Sequence, residues 1–529
     1  MLDLLIRNAR VLDDGLPVST SVGLLHGRIV GLDDVADIPA RQTVDVAGAT
    51  VLPGLHDAHV HTTSYGTGLL TLGLSGTTGL TAVLDAVAGY AAGLDPDAWV
   101  IGSGYGLGFD PGSHPSPQSL DAAAGGRPVW LTHFSGHACV LSSAALAEVG
   151  ITSGAVPNGR GRIGLGPDGA PNGVVEESAM DLVKDHVGPA SLEELARAID
   201  VATRVYAAEG VTTFVDAGIG SPGIDHSPLE LAAYQLARET GRLHVRGQLM
   251  VHDAVLHEVA GHSNDATPRG LDLGLRTGLG DGWLEVGALK IWVDGAGGGG
   301  DLDDDPEVLR RSIVSGARAG WQVAAHSMGE LAVDLVLDAL AEAAVGTPHG
   351  TSRPHRIEHG ASLRPDQVRR LAAAGMAVAH QPSFVSTFGD LMSADHGDAQ
   401  AGNKLRLRSL LEAGVVVAGS SDRPVAPGPP LAGIQAMIER VTESGAPFGP
   451  LERVDARTAL RAYTAGGAYA AGRAHRSGAL RPGFDADLVV LDTDPTTAPT
   501  AGIGQIEVLA TLVGGDVVHD PRGLFTGDD

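Results

Sequence analysis

Short apolar runs bounded by glycine-rich turns alternate along most of this chain with stretches whose apolar positions recur at helical spacing. That is the pattern of strand following helix. One helix is marked at its start by Ser191-Leu192-Glu193-Glu194, which reads as a capping box, with Leu195, Ile199, Ala202 and Val205-Tyr206 on one face. Gly210 ends that helix, and Val211 to Asp216 reads as the strand that follows. Further strands are predicted at Leu243 to Met250, Ala288 to Val293, Gln322 to His326, His355 to His359, Met376 to His380 and Val415 to Ala418. With Val51 to His61 these make eight strands separated by helical sequence, and an α/β parallel (β/α)8 barrel is the predicted architecture. A doubly wound open sheet is the alternative, but no Gly-rich dinucleotide fingerprint follows the first strand.

The two ends of the chain differ from this middle. Leu4 to Val11, Val22 to Leu25 and Arg28 to Val30 near the N-terminus read as short strands joined by the turns Asp13-Asp14-Gly15 and His26-Gly27. Ala486 to Leu491 and Val508 to Val513 read the same way near the C-terminus. Neither set is large enough for a core of its own. The expectation is therefore one small composite β-sandwich domain built from residues 1–50 and 478–529, with the barrel of residues 51–477 between them. A segment of about residues 62–189 is too long for one loop and helix, and is expected as an insertion over the C-terminal mouth of the barrel.

Composition narrows the class. A length of 529 residues with 43% hydrophobic residues allows a large barrel and an accessory domain. The 75 glycines, with only 4% aromatics, fit tight turns and small-residue packing rather than disorder, because apolar runs recur throughout. A formal charge of −27, from 36 basic and 63 acidic residues, repels phosphate backbones and excludes nucleic acid as an expected partner. Cys139 is the only cysteine, so neither an intrachain disulfide nor a thiolate metal cluster is available. With no basic n-region leading into an apolar core and no apolar run of about 18 residues, no membrane association is expected and a cytoplasmic location is. A homodimer is expected only as the commonest assembly.

The chemistry-bearing residues gather where the predicted strands end. Asp57-Ala58-His59-Val60-His61 closes the first. Residues i and i+2 of a strand point the same way, so His59 and His61 can reach one metal ion; His56 breaks that alternation and is read as structural. Lys290 lies inside the apolar run Gly287 to Val293, where a lysine must be paired, deprotonated or chemically modified. His326, His359 and Asp422 end the fifth, sixth and eighth strands. Each alone is explicable as a polar strand-end residue; four His, one Lys and one Asp in this order point to a metal site.

In these motifs the chain resembles the amidohydrolase superfamily, and within it the family 3 branch that includes N-substituted formamide deformylases. The resemblance is carried by Val51-Leu52-Pro53-Gly54-Leu55-His56-Asp57-Ala58-His59-Val60-His61, by Lys290 with Asp294-Gly295, and by His326 with Gly329. Arg356-Ile357-Glu358-His359, Ser421-Asp422 with Pro424, and Pro482 to Val490 extend it nearly end to end. It implies that His59 and His61 bind a first divalent metal, that Lys290 is carboxylated and bridges two metals, and that His326 and His359 bind the second. Zinc, as one or two ions, and a CO2-derived carbamate on Lys290 are the expected cofactors. Asp422 would stand at the metal and shuttle a proton from the attacking water to the leaving nitrogen.

The resemblance also assigns substrate-binding residues and shows departures. His137, in Ser135-Gly136-His137, is placed near the substrate carbonyl, although Ser142 stands where the family usually has asparagine. Glu177 is taken as the substrate-binding glutamate of Pro171 to Glu177, with Glu176 as its competitor in register. Gln381, after the seventh strand, is expected to line the pocket. Glu330 replaces the family's usual aspartate, and Gly297 to Gly300 replace a more substituted loop. The expected function is metal-dependent hydrolysis of a non-peptide C–N bond in a small-molecule amide, formamide-like or cyclic amide substrate, by hydroxide activated at the metal. A deaminase of the same superfamily is the nearest rival; such sites carry a strand-5 His-x-x-Glu and usually lack the strand-4 lysine, whereas here the spacing is His326-x-x-x-Glu330. Ester or lactone hydrolysis stays open, and a non-catalytic binding module would be expected to have lost ligands.

Overall fold

The computed structural model describes the chain apart from residues 107–108, 110–112, 136–137, 153–160, 188–189, 222–226, 228, 262–268, 296–300, 346–350, 397–403 and 526–529. It divides into two compact units, one formed by Met1–Thr63 with Ala202–Asp529 and the other by Ser64–Val201.

The first unit holds the barrel. Its strands are β1 (Leu55–Val60), β2 (Val211–Ile219), β3 (Arg246–His252), β4 (Leu284–Trp292), β5 (Val323–Ser327), β6 (Arg356–His359), β7 (Ala377–His380) and β8 (Val416–Gly419). They pair in chain order from β1 to β8, and every pair is parallel. Parallel pairing needs crossovers, which here include the helices Pro306–Arg318, Glu330–Ala344 and Pro365–Ala373. Strand periodicity sorts the side chains. Leu289, Ile291 and Val293 join the outer core with Leu309 and Ile313 of the first of these helices. Ala288, two residues before Lys290, packs instead with Val215, Met250 and Ala324. The two ends of the sheet meet just past the strands: His61 N donates to Arg423 O at 2.9 Å, and Asp422 N donates to His59 O at 2.8 Å. The hydrogen bonds that close the barrel thus run through candidate ligands.

Two further sheets of this unit make the β-sandwich. One contains Leu2–Arg7, Val22–Leu25, Arg28–Gly31 and Ala40–Asp45. In the other, Leu488–Leu491 from the C-terminal part pairs antiparallel with Thr50–Pro53 from the N-terminal part. Ile6 and Leu24 of the first sheet and Val51, Leu488 and Val490 of the second share one apolar core. Two runs read as single strands are in fact divided. Leu4 to Val11 turns from one sheet to the other after Asn8, whose φ is +54°. Val51 to His61 is split at Gly54 into a sandwich strand and β1.

The second unit has its own six-stranded mixed sheet, in the order Arg162–Leu165, Pro171–Glu176, Ala138–Leu141, Val129–His133, Val100–Tyr105, Leu72–Gly73. It also has its own buried clusters, one around Val83, Val87, Leu120 and Leu131 and another around Cys139, Val175 and Val183. The capping box forms there as expected: Ser191 N donates to Glu194 Oε2 at 2.8 Å and Glu194 N to Ser191 Oγ at 3.2 Å. Among the described residues no helix is long and apolar enough to cross a membrane.

Candidate metal centre

β1, β6 and β8 deliver the centre. His59, on β1, and His359, at the end of β6, are both buried, and their rings lie 4.9 Å apart. Asp422 stands three residues after β8, with Oδ1 3.3 Å from His59 Nε2 and 3.1 Å from His61 Nε2. One ligand atom from each of His59, His359 and Asp422 fits within a span of 4.8 Å. The His326 ring, from β5, lies 4.5 Å from that of His359. His359 and Asp422 both have left-handed backbones, with φ of +72° and +60°. Non-glycine residues held this way cluster at sites that the surrounding fold over-determines.

The donor set passes a chemical test for a divalent cation. His59 Nε2, His326 Nε2 and Asp422 Oδ1 are buried and make no hydrogen bond among the described residues. Such atoms are costly unless something satisfies them. Burial holds His359 down to about 3 and His326 well below its ordinary value, so both imidazoles are neutral, the ligand form. Burial pushes Asp422 up, but the neighbouring histidines outweigh it and hold the carboxyl well below its usual range, ionised. For His59 the pull of burial and of Lys290 is outweighed by Asp422 and Glu358, which raise it. Imidazole and carboxylate donors without thiolate suit several divalent ions.

Lys290 is buried on β4, and burial pushes it down to about 8 against the opposing pull of Glu358 and Asp422. Its side chain passes Gly218 of β2, where a Cβ would lie at ordinary contact distance, 3.6 Å, from Lys290 Cγ. Trp292, two residues on, stacks on His326 with ring centroids 4.7 Å apart and planes within 3°. Asp294 caps the turn after β5, accepting from the backbone N–H of Met328 and of Gly329, the latter at 2.6 Å.

Of the residues read as substrate-binding, Gln381 and Glu177 lie among the described residues. Gln381 is fully buried; its Oε1 accepts from His359 Nδ1 at 3.0 Å and its Nε2 donates to Ser420 Oγ at 2.9 Å. Glu177 is exposed in the second unit, at φ +53°, where the helix Glu177–Met180 begins. Its competitor Glu176 is taken up by Arg162, at 2.8 Å. His137 and Gly297 to Gly300 lie outside the described residues. Ser142 is the N-cap of the helix Ser143–Val149, accepting from Ala145 N at 3.2 Å. His56, read as structural, is buried, and burial drives it down to about 3.

Sequence reasoning assigned no role to Arg356 and Glu358, both fully buried in β6. The argument that singled out Lys290, a charge inside an apolar run, does not reach them, because Ile357 is the one apolar residue between His355 and His359.

A sequence profile described as the amidohydrolase family matches residues 42–519, and the chain belongs to that family. It is 29% identical to the protein LONG AFTER FAR-RED 3 of Arabidopsis thaliana, over 98% of this chain and 91% of that one. It is 28% identical to an N-substituted formamide deformylase of Arthrobacter pascens, over 99% of each chain. In fold it is similar to an uncharacterised metal-dependent hydrolase of Pyrococcus horikoshii OT3, with a TM-score of 0.74 at 20% identity, covering 94% of this chain and 99% of that one.

Proposed function

We propose that the protein hydrolyses a carbon–nitrogen bond outside peptides, in a small-molecule amide, formamide-like or cyclic amide substrate. The observation that carries this is the convergence of His59, His359 and Asp422 ligand atoms within 4.8 Å at barrel strand ends, with His61 and His326 beside them. The formamide deformylase that aligns over the whole chain supports the choice of bond.

His59, His61, His326 and His359 would hold one or two divalent ions, zinc being the expected one. A carbamate formed by CO2 on the Lys290 amine would add an anionic oxygen donor, and burial favours the neutral amine that attacks CO2. When bound, the metal lowers the pKa of water towards ~7 and polarises the substrate carbonyl. Asp422, ionised and in contact with both β1 histidines, accepts the proton of the attacking water. The same carboxyl then delivers that proton to the departing nitrogen, which leaves poorly as an amide anion. The deaminase reading wants a strand-5 glutamate in the site, whereas Glu330 is exposed at a helix start, with Arg364 3.4 Å from its carboxylate.

The test is metal analysis of the purified protein with turnover on a panel of N-alkyl and N-aryl formamides, matched acetamides and matched esters. Stoichiometric divalent metal and preferred formamide cleavage are expected. Asp422→Asn should keep the metal while turnover falls about 10²–10⁴-fold. Protein that binds no divalent metal and gains no activity with added zinc or manganese would overturn the proposal, and preferred ester cleavage would move it to the lactone or ester class.

A further inference from the structure

Resting on that metal-hydrolase reading, we infer that Glu358, gripped by Arg356, is a positioning residue that sets His59 as a metal ligand. His59 Nδ1 donates to Glu358 Oε2 at 2.5 Å, which leaves the Nε2 lone pair facing Asp422. In the other tautomer Nε2 would carry the proton and could not ligate. Glu358 cannot turn away. Arg356 Nε donates to its Oε1 and Nη2 to its Oε2, both at 2.8 Å, a fork that fits a carboxylate in one plane. The same Nη2 also donates to Ala58 O at 2.7 Å, the carbonyl just before His59. β6 therefore holds β1 at two points across the barrel, by the backbone before His59 and by the His59 ring itself. All three side chains are buried, so no water competes for these bonds. The carboxylate does more than orient: its negative charge, faced by the Arg356 fork, makes the imidazole a stronger donor.

The test uses the full chain stripped of metal, with zinc alone as ligand, in wild type, Glu358→Gln and Arg356→Lys. Gln keeps the shape of the acceptor but not its charge; Lys keeps the charge but not the fork. Zinc affinity is read by competition with a chromophoric chelator, and the coordination geometry by the visible spectrum of the cobalt-loaded form. Each variant should bind zinc about tenfold to a hundredfold more weakly, with an altered cobalt spectrum at saturation. If one variant fails to fold, the other carries the measurement. Affinities within roughly twofold of wild type and an unchanged cobalt spectrum, even with a lower melting temperature, would assign the pair a structural role only and overturn the inference. If the wild type itself does not bind zinc or cobalt, the metal-hydrolase reading fails first and this inference with it.

Discussion

Glu358 and His359 are consecutive in β6, yet both act inside the barrel, where strand alternation would send one inward and the other outward. The left-handed backbone of His359, at φ +72°, allows it, at a strain on the order of 1–3 kcal/mol. In the proposed site the two neighbouring histidines thus have separate holders: Glu358 for His59 and Gln381 for His359. This bears directly on Gln381, which the sequence places in the substrate pocket. Because it is fully buried and bonded at both ends of its amide, its geometry supports the role of orienting His359. Gln381→Leu should then weaken metal binding about tenfold while KM at saturating metal stays near the wild-type value. A raised KM with intact metal affinity would instead support the substrate-binding role.

At the scale of elements, all eight barrel strands were legible in the sequence as apolar runs between helical stretches. The predicted and observed ends of the strands closing on His359 and His380 coincide, and those closing on Val60-His61 and His326-Ser327 differ by one residue. β4 starts four residues before its predicted start because Glu285 and Gly287 interrupt the apolar run, although Leu284 and Glu285 both pair with β3. The internal sheet of the second unit was invisible for a different reason: its strands are short and partly exposed, and its antiparallel pairs join segments as distant as Ala138–Leu141 and Pro171–Glu176. Arg356 and Glu358 were hidden by their mutual satisfaction, which only tertiary structure reveals. The division at Gly54 has a steric cause and a testable consequence. A Cβ there would lie 2.1 Å from Thr212 Oγ1 and 2.7 Å from Thr212 Cβ, on the buried start of β2. Gly54→Ala should therefore destabilise the protein by about 1–3 kcal/mol in denaturant unfolding, by overpacking. Adding Thr212→Ala should not restore stability, since the Thr212 Cβ alone is too close; full recovery in the double variant would refute this account of the split.

For the whole molecule, pH acts through two opposed effects. Self-repulsion at a formal charge of −27 eases as acid neutralises carboxylates, which favours the folded state. Buried or half-buried neutral histidines work against it. Burial holds His56 at about 3 and both His355 and His380 at about 4, all below the ordinary 6.5. One of them has a structural reason to stay neutral, since His355 Nδ1 accepts from Val323 N at 3.0 Å; at His380 the Leu405 carbonyl, 3.3 Å from Nε2, favours the proton and is outweighed by burial and Arg440. Between their folded and unfolded pKa values the unfolded chain binds protons that the folded chain refuses. Their contribution is therefore fully present above pH 6.5 and lost as the pH falls towards 4. From pH 7 to pH 5 each of His355 and His380 removes about 2 kcal/mol, a large share of a typical 5–15 kcal/mol. Salt distinguishes the two effects, because surface repulsion is screened at about 0.5 M whereas the burial of a histidine is not. Denaturant unfolding at that salt concentration should show stability falling from pH 7 to pH 5, and falling less steeply in His380→Asn by about 2 kcal/mol over the interval. An equal slope in the variant would mean that His380 takes up its proton without unfolding the barrel, and that acid sensitivity must be sought among the metal ligands instead.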